Sequence, residues 1–301
     1  MEMMTMNSYD CIVIGAGVAG MTAALYLKRS GINVLLIERE MPGGVLNKTT
    51  EIENYPGFTK INGTDLALSI YEQIKNQQIE YKYGNVVEIV CNGEEKIVKT
   101  NRDEFKTKNI ILATGRTPRK LGLSNEEKLI GHGISYCAIC DGSFFKDKEV
   151  ALVGGGNSAL TGALYLSNIT SKVYIINRSD KLKADEILQS KIKEKSNIEI
   201  LFNSKVTNIN EKDNVLDSVD LNNKELNVKG LFIYIGFDPD INYLKNLNIK
   251  TKNGYIEVDE DMQTNIKGIY ACGDIVSKKV YQISTAIGEA AIAATSIKNN
   301  D

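Results

Sequence analysis

The chain is 301 residues long, 43% hydrophobic and 25% charged, with 36 Lys and Arg against 38 Asp and Glu for a net charge of −2. That length suits about two domains with substantial cores, and the near balance of charge speaks against nucleic acid or an anionic membrane as partner. No apolar run reaches the ~20 residues that span a bilayer. The opening MEMMTMNSYD lacks the basic and apolar regions of a signal peptide. Five cysteines without framework spacing argue against a secreted disulfide scaffold, so a soluble, cytoplasmic protein is expected.

Tyr9–Ile14 (YDCIVI) is a short apolar run rich in β-branched residues and predicts a buried parallel strand. Gly15-Ala16-Gly17-Val18-Ala19-Gly20 follows directly, then a helical pattern through Met21–Arg29 and a second strand, Asn33–Ile37, that ends at Glu38. Strand, G-x-G-x-x-G, helix, strand and acid together make the dinucleotide fingerprint in its required setting. Gly15 serves the tight turn, Gly17 the approach of backbone to a pyrophosphate, and Gly20 the close packing of helix on strand. Glu38 offers a carboxylate to an adenosine ribose, and the helix N-terminus faces the phosphates. Gly43-Gly44 and Glu53–Phe58 (ENYPGF) read as loops. Thr64–Gln77 reads as an amphipathic helix, and Tyr83–Val90 and Lys96–Thr100 as antiparallel strands inserted in the α/β unit. Asn109–Ala113 is a further buried strand, running into Thr114-Gly115.

Cys137-Ala138-Ile139-Cys140-Asp141 comes next. Cysteines three apart on one helical turn stand roughly 5–6 Å apart at Cβ, near the separation a disulfide spans. Such a pair can cycle between dithiol and disulfide with little backbone movement. Half a zinc site and a chance pair of buried thiols are the competing readings. No second C-x-x-C exists, and the single histidine, His132, reads as a solvent-facing loop residue; both weigh toward a redox couple and against a metal.

The pattern then restarts. Glu149–Val153 predicts a strand, Gly154-Gly155-Gly156-Asn157-Ser158-Ala159 opens a helix running to about Leu166, and Lys172–Ile176 is the next strand. This is a second fingerprint, G-x-G-x-x-A, but the acid is missing. Asn177-Arg178-Ser179-Asp180 stands there, with Lys181 and Lys183 after it. Loss of a ribose-directed carboxylate with cations nearby suits a 2′-phosphate. Ile198–Phe202 and Gly230–Ile235 add strands, and Gly254–Val258 and Gly268–Ala271 lead to Cys272-Gly273-Asp274. A carboxylate at the C-terminal edge of a strand can lie near a ligand. Thr285–Thr295 is an apolar, alanine-rich helix.

GAGVAG (15–20), ENYPGF (53–58), ATG (113–115), CAIC with Asp141 (137–141), GGGNSA (154–159) and ACGD (271–274) stand in family order, and the chain resembles the low-molecular-weight, bacterial-type thioredoxin reductases over nearly its whole length. The resemblance implies an α/β fold of two Rossmann-like three-layer dinucleotide-binding domains, the second inserted in the first. A discontinuous FAD domain would cover 1–117 and 245–301, and an NAD(P)H domain carrying the dithiol 118–244. FAD would be held by Gly15, Gly17, Gly20, Glu38, Gly44, Asn54, Gly115 and Asp274, with Gln282 and Ile283 near the flavin ring. NADPH would be held by Gly154, Gly156, Asn157, Ser158, Ala159, Arg178 and Lys183. Cys140 would exchange electrons with the flavin, Cys137 with thioredoxin or a thioredoxin-like dithiol protein, and Asp141 would be the acid–base group. A homodimer and a domain rotation are implied as well. A carboxylate directly beside a thiol disfavours the thiolate by like-charge repulsion, so Asp141 suits proton transfer better than thiolate activation.

The chain departs from the family at several positions. The usual His-Arg-Arg with an arginine four residues later is here Asn177-Arg178-Ser179 with Lys183, so NADPH is expected over NADH by a narrower margin. Val45 replaces the usual glutamine after Gly-Gly, and Ile139 the usual threonine. Tyr281 stands where relatives commonly carry arginine, which resembles the ferredoxin-linked flavin thioredoxin reductases and leaves reduced ferredoxin open as donor. Those relatives lose the second glycine fingerprint, whereas GGGNSA is intact here. The full set of motifs argues against a non-enzymatic flavin redox sensor.

Overall fold

The computed structural model describes residues 7–49, 52–222 and 224–300, so the leading MEMMTM, part of the stretch expected to lack a signal pattern, lies outside the described residues. The fold is α/β, with two Rossmann-like units, the second inserted in the first. One unit is Met1–Thr117 with Asp238–Asp301, the other Pro118–Phe237.

In the first unit β1 (Ser8–Ile14), α1 (Val18–Arg29) and β2 (Val34–Glu38) form the opening βαβ. They are followed by α2 (Gly63–Asn76), β3 (Glu80–Tyr83), β4 (Val86–Asn92), β5 (Glu95–Thr100) and β6 (Glu104–Leu112). The sheet runs β3-β2-β1-β6-β5-β4. β1 is parallel to β2 and β6, while β4 and β5 attach antiparallel. Alternate residues of β1 point to opposite faces, which is why a continuous apolar run is needed: Cys11 and Val13 enter one core, Ile12 and Ile14 the other. The expected strand Tyr83–Val90 is divided in the structure. Tyr83 closes β3 on the parallel side of the sheet, and β4 begins only after Gly84-Asn85.

The chain passes to the second unit through β7 (Arg116–Pro118). There β8 (Ile134–Ser135), α3 (Ala138–Asp141), β9 (Glu149–Val153), α4 (Asn157–Ser167), β10 (Lys172–Ile176), α5 (Glu186–Lys193) and β11 (Ile198–Leu201) follow. Next come β12 (Val206–Lys212), β13 (Val215–Leu221), β14 (Glu225–Asn227) and β15 (Gly230–Ile233). The parallel sheet runs β11-β10-β9-β15-β8, and β12-β13-β14 form a separate antiparallel sheet. Val150 and Leu152 of β9 pack under α4, while Ala151 and Val153 face the β12–β13 side.

β16 (Phe237–Pro239) marks the return. The first unit resumes at Asp238, ahead of the expected 245, because Ile241, Tyr243 and Leu244 pack against its core with Ile256 and Val276. β17 (Thr251–Lys252) and β18 (Tyr255–Ile256) form a short hairpin, β19 (Ile269–Ala271) adds to β6, and α6 (Ile283–Asn300) ends the described chain. Ala286, Ala290, Ala293 and Ala294 of α6 meet Ala23, Ala24 and Leu27 of α1 in one core, where small side chains let two helices approach closely.

Candidate active site

The dithiol segment leaves β8 at Ser135 and turns at once into α3. Cys137 is the N-cap residue, its Sγ accepting the Cys140 N–H at 3.2 Å, and the two cysteines are joined as a disulfide with Cα atoms 5.4 Å apart. Cys137 is only 8% exposed, whereas Cys140 is exposed. Asp141 donates its N–H to the Cys137 carbonyl, and its Oδ2 accepts the Ser135 hydroxyl at 2.6 Å. The Ser135 oxygen in turn accepts the Cys137 N–H at 2.9 Å. Tyr234, after β15, accepts the Ala138 N–H at 2.8 Å, and burial pushes its phenol pKa up.

The residue before the dithiol is tied down as well. Tyr136 donates its hydroxyl to Glu126 Oε1 at 2.7 Å, and burial followed by that bond raises the phenol pKa. Glu126 is 1% exposed and also accepts the N–H groups of Leu121, Gly122 and Leu123. A buried carboxylate is tolerable only when its lone pairs are met in this way.

The second fingerprint lies in the same unit. Gly154 has φ +144°, and a Cβ there would overlap the Tyr234 carbonyl oxygen. Gly156 starts α4 with no capping side chain, and open space lies where its Cβ would be. Asn157 and Asp185 hold each other reciprocally, with both contacts at 2.8 Å; Ser158 is exposed and Ala159 buried. The Lys183 and Ala184 N–H groups donate to the Gly155 carbonyl, folding the 177–184 turn over the glycine loop. Asn177 is buried and spends its Nδ2 on the Ser179 and Lys181 carbonyls, so it shapes the turn from within, while Arg178 and Lys183 are exposed.

In the first unit Gly15 has φ +101°, and a Cβ would lie 2.5 Å from the Ala113 carbonyl oxygen. A Cβ at Gly20 would overlap the Gly15 carbonyl oxygen, whereas one at Gly17 would meet nothing. Glu38 accepts the Ala16 N–H at 2.6 Å on one oxygen and the Arg39 and Glu40 N–H groups on the other. It therefore shapes the glycine loop and retains lone-pair capacity for a hydroxyl. Gly44 comes against Gly17, and the Gly43 N–H donates to the Ala16 carbonyl. Asn54 Nδ2 donates to Gln282 Oε1 at 3.0 Å, just before Ile283 starts α6. Gly115, with φ +66°, accepts the Asp240 N–H. Asp274 pairs with Arg116 Nε at 3.0 Å, and that guanidinium lies 4.6 Å from the centre of the Tyr281 ring.

The two fingerprints and the dithiol turn thus take local forms that their spacing implied. Ser135, Tyr234, Glu126 and Arg116 were not singled out by sequence; a hydroxyl two residues before a dithiol carries no motif of its own. His132 is exposed, its N–H bonded to the Leu129 carbonyl. Among the described residues no group of three or more His, Cys, Asp or Glu could hold a metal ion, and no helix is long and apolar enough to cross a membrane.

The pyridine nucleotide-disulphide oxidoreductase family matches residues 9–290. The chain is 42% identical to the thioredoxin reductase of Bacillus subtilis (strain 168) over 297 residues, 97% of this chain and 94% of that one. It belongs to the thioredoxin reductase family. A crystal structure of Lactococcus lactis thioredoxin reductase is 42% identical with a TM-score of 0.91, covering 97% of this chain and 98% of that one. A ferredoxin-flavin thioredoxin reductase from Clostridium acetobutylicum is further away, 30% identical with a TM-score of 0.56, over 98% of this chain and 99% of that one. Membership of the thioredoxin reductases implies use of a flavin and a nicotinamide nucleotide. Both glycine loops fit such groups: α1 and α4 each begin at a glycine without a capping side chain, which leaves N-terminal N–H groups for an anionic phosphate.

Proposed function

We propose that this chain is an NADPH-dependent flavoprotein disulfide reductase that passes electron pairs through FAD and Cys137–Cys140 to thioredoxin or a thioredoxin-like protein. The observation that carries the reading is the disulfide on one helical turn with the Asp141 carboxylate directly after it. In this reading 1–117 with 238–301 is the FAD domain and 118–237 the NADPH domain, in a cytoplasmic homodimer. Gly15 and Gly17 with the start of α1 receive the FAD pyrophosphate, Gly20 lets that helix pack close beneath it, and Glu38 takes the ribose. Gly44, Asn54, Gly115, Asp274, Gln282 and Ile283 hold the remainder. Gly154, Gly156, Asn157, Ser158 and Ala159 serve NADPH in the same manner, with Arg178 and Lys183 as cations for the 2′-phosphate. A bound flavin supplies the two-electron carrier between nicotinamide and disulfide.

Reduction at Cys140 opens the S–S bond and leaves Cys137 as the thiolate that attacks the partner's disulfide. Cys140 then displaces the partner from the mixed disulfide, which re-forms the Cys137–Cys140 bond, and Asp141 gives a proton to the departing thiolate. Since Cys137 is 8% exposed, its sulfur must be uncovered during turnover. Reduced ferredoxin is the competing donor on account of Tyr281, but the folded second glycine loop, and an identity of 42% to the Bacillus subtilis thioredoxin reductase against 30% to the ferredoxin-flavin one, support NADPH.

Stopped-flow flavin reduction by NADPH, NADH and reduced ferredoxin, side by side, tests the donor. NADPH should bleach the flavin fastest; bleaching by ferredoxin alone would overturn that assignment. Cys137→Ser and Cys140→Ser should each abolish thioredoxin reduction, and Asp141→Asn should slow it with flavin content intact. Full turnover in either serine variant would remove the dithiol from the reaction.

A further inference from the structure

We propose that Ser135 is a positioning residue for Asp141, fixing the carboxylate on the dithiol turn and answering its changes of protonation by rotating one hydroxyl hydrogen. The inference deepens the proposed reaction and rests on the reading that makes Asp141 its acid–base group. Ser135 is 3% exposed and ends the short strand β8, in register with Phe232 of β15, so its side chain is anchored on the sheet. Its oxygen lies 2.6 Å from Asp141 Oδ2, 2.9 Å from the Cys137 nitrogen and 3.2 Å from the Cys137 carbonyl oxygen. The Cys137 N–H donates to it, and its single hydrogen must choose between the other two oxygens.

While Asp141 is ionised, the shorter contact to a charged oxygen takes that hydrogen. Once Asp141 has gained a proton, its O–H can donate to the serine oxygen, and the serine hydrogen can swing to the Cys137 carbonyl. The serine hydroxyl, the Cys137 N–H and Asp141 Oδ2 each keep a partner in both states. When Asp141 gives its proton to the departing thiolate, the hydroxyl turns back. No covalent bond forms at the serine, and nothing there is oxidised or reduced. Besides the two cysteines of the turn, Tyr234 is a titratable side chain near enough for Asp141 to raise its pKa, and its oxygen is engaged by the Ala138 N–H. An alanine at 135 removes both the donor to the carboxylate and the acceptor for the Cys137 N–H.

The test uses holoenzyme, with NADPH and thioredoxin as substrates. Ser135→Ala should lower kcat about tenfold, the size expected for loss of one hydrogen bond to a charged group. KM for thioredoxin, flavin content and the rate of flavin reduction by NADPH should be unchanged. In an Asp141→Asn background the same change should cost clearly less than about tenfold, because only the contact to the Cys137 N–H is then left to lose. Ser135→Thr and Ser135→Val, nearly equal in shape and differing in the hydroxyl, repeat the comparison should alanine fold poorly: Thr should keep most of the turnover and Val lose it. Equal losses in Thr and Val, or a full tenfold loss on top of Asp141→Asn, would overturn the link between Ser135 and Asp141. Unchanged turnover in Asp141→Asn itself would overturn the parent assignment and this one with it.

Discussion

Asn177 and Ser179 decide how the nucleotide loop of the second unit is built. Asn177 Nδ2 donates to two carbonyls of its own turn and to Ser179 Oγ at 3.2 Å, and Ser179 passes its hydrogen to the Lys181 carbonyl. Asn177 and Ser179 are thus used to hold a tight turn, and Arg178, Lys181 and Lys183 stand around it as exposed cations. Ser179→Arg should therefore tighten NADPH by about tenfold or more, the worth of a hydrogen bond to a charged group. NADH should be untouched, and the turn should survive because Asn177 keeps both of its carbonyl partners. Titration of both nucleotides checks this; an equal gain for NADH would remove residue 179 from the 2′-phosphate.

At the scale of elements, α1 separates two roles that one glycine motif combines. Gly20 is required by packing, since a Cβ would collide with the Gly15 backbone, whereas Gly17 has open space before it and φ −71°, which any residue adopts. Gly20→Ala should force α1 away from β1 and destabilise the fold by about 1–3 kcal/mol, the usual cost of overpacking. Compared as flavin-free proteins, Gly17→Ala should unfold at the same denaturant concentration as the parent yet rebind flavin poorly. Were both variants to lose stability alike, the open side of Gly17 would not be a ligand face. The opening βαβ was legible in the sequence because Tyr9–Ile14 is apolar on both faces and the glycines punctuate its end. The sheet β12-β13-β14 was not, since segments such as VTNINEK expose most of their side chains and bury only Val206 and Ile209. Ser135, Glu126 and Tyr234 escaped for another reason: their partners are fixed by how β8, β15 and α3 come together, which no local spacing encodes.

For the whole molecule, buried phenols set the alkaline limit. Tyr9 and Tyr81 are each pushed from 10.0 up to about 12, chiefly by burial and then by Glu80 and Glu38 respectively. Burial also raises Tyr136, Tyr234 and Tyr243. In the unfolded chain these hydroxyls lose protons near 10.0, while the folded chain holds them. Their contribution to stability is thus fully present below pH 10 and drains away as pH rises through the folded values. Denaturant midpoints should fall steadily above pH 10, in step with the ultraviolet signal of tyrosinate. Midpoints that hold steady while that signal develops would show these phenols to be accessible in the native chain.

The remaining cysteines turn this arrangement into a gauge. Cys11 and Cys272 are wholly enclosed, and Cys91 is half-buried with its thiol pKa raised by desolvation. A chromogenic maleimide or aromatic disulfide dye added to the native, air-equilibrated chain therefore finds at most one slow target. After electrons arrive, Cys140 opens to the dye and Cys137 follows. The colour yield per polypeptide reports the stored electron pair directly, without any optical signal from the cofactor.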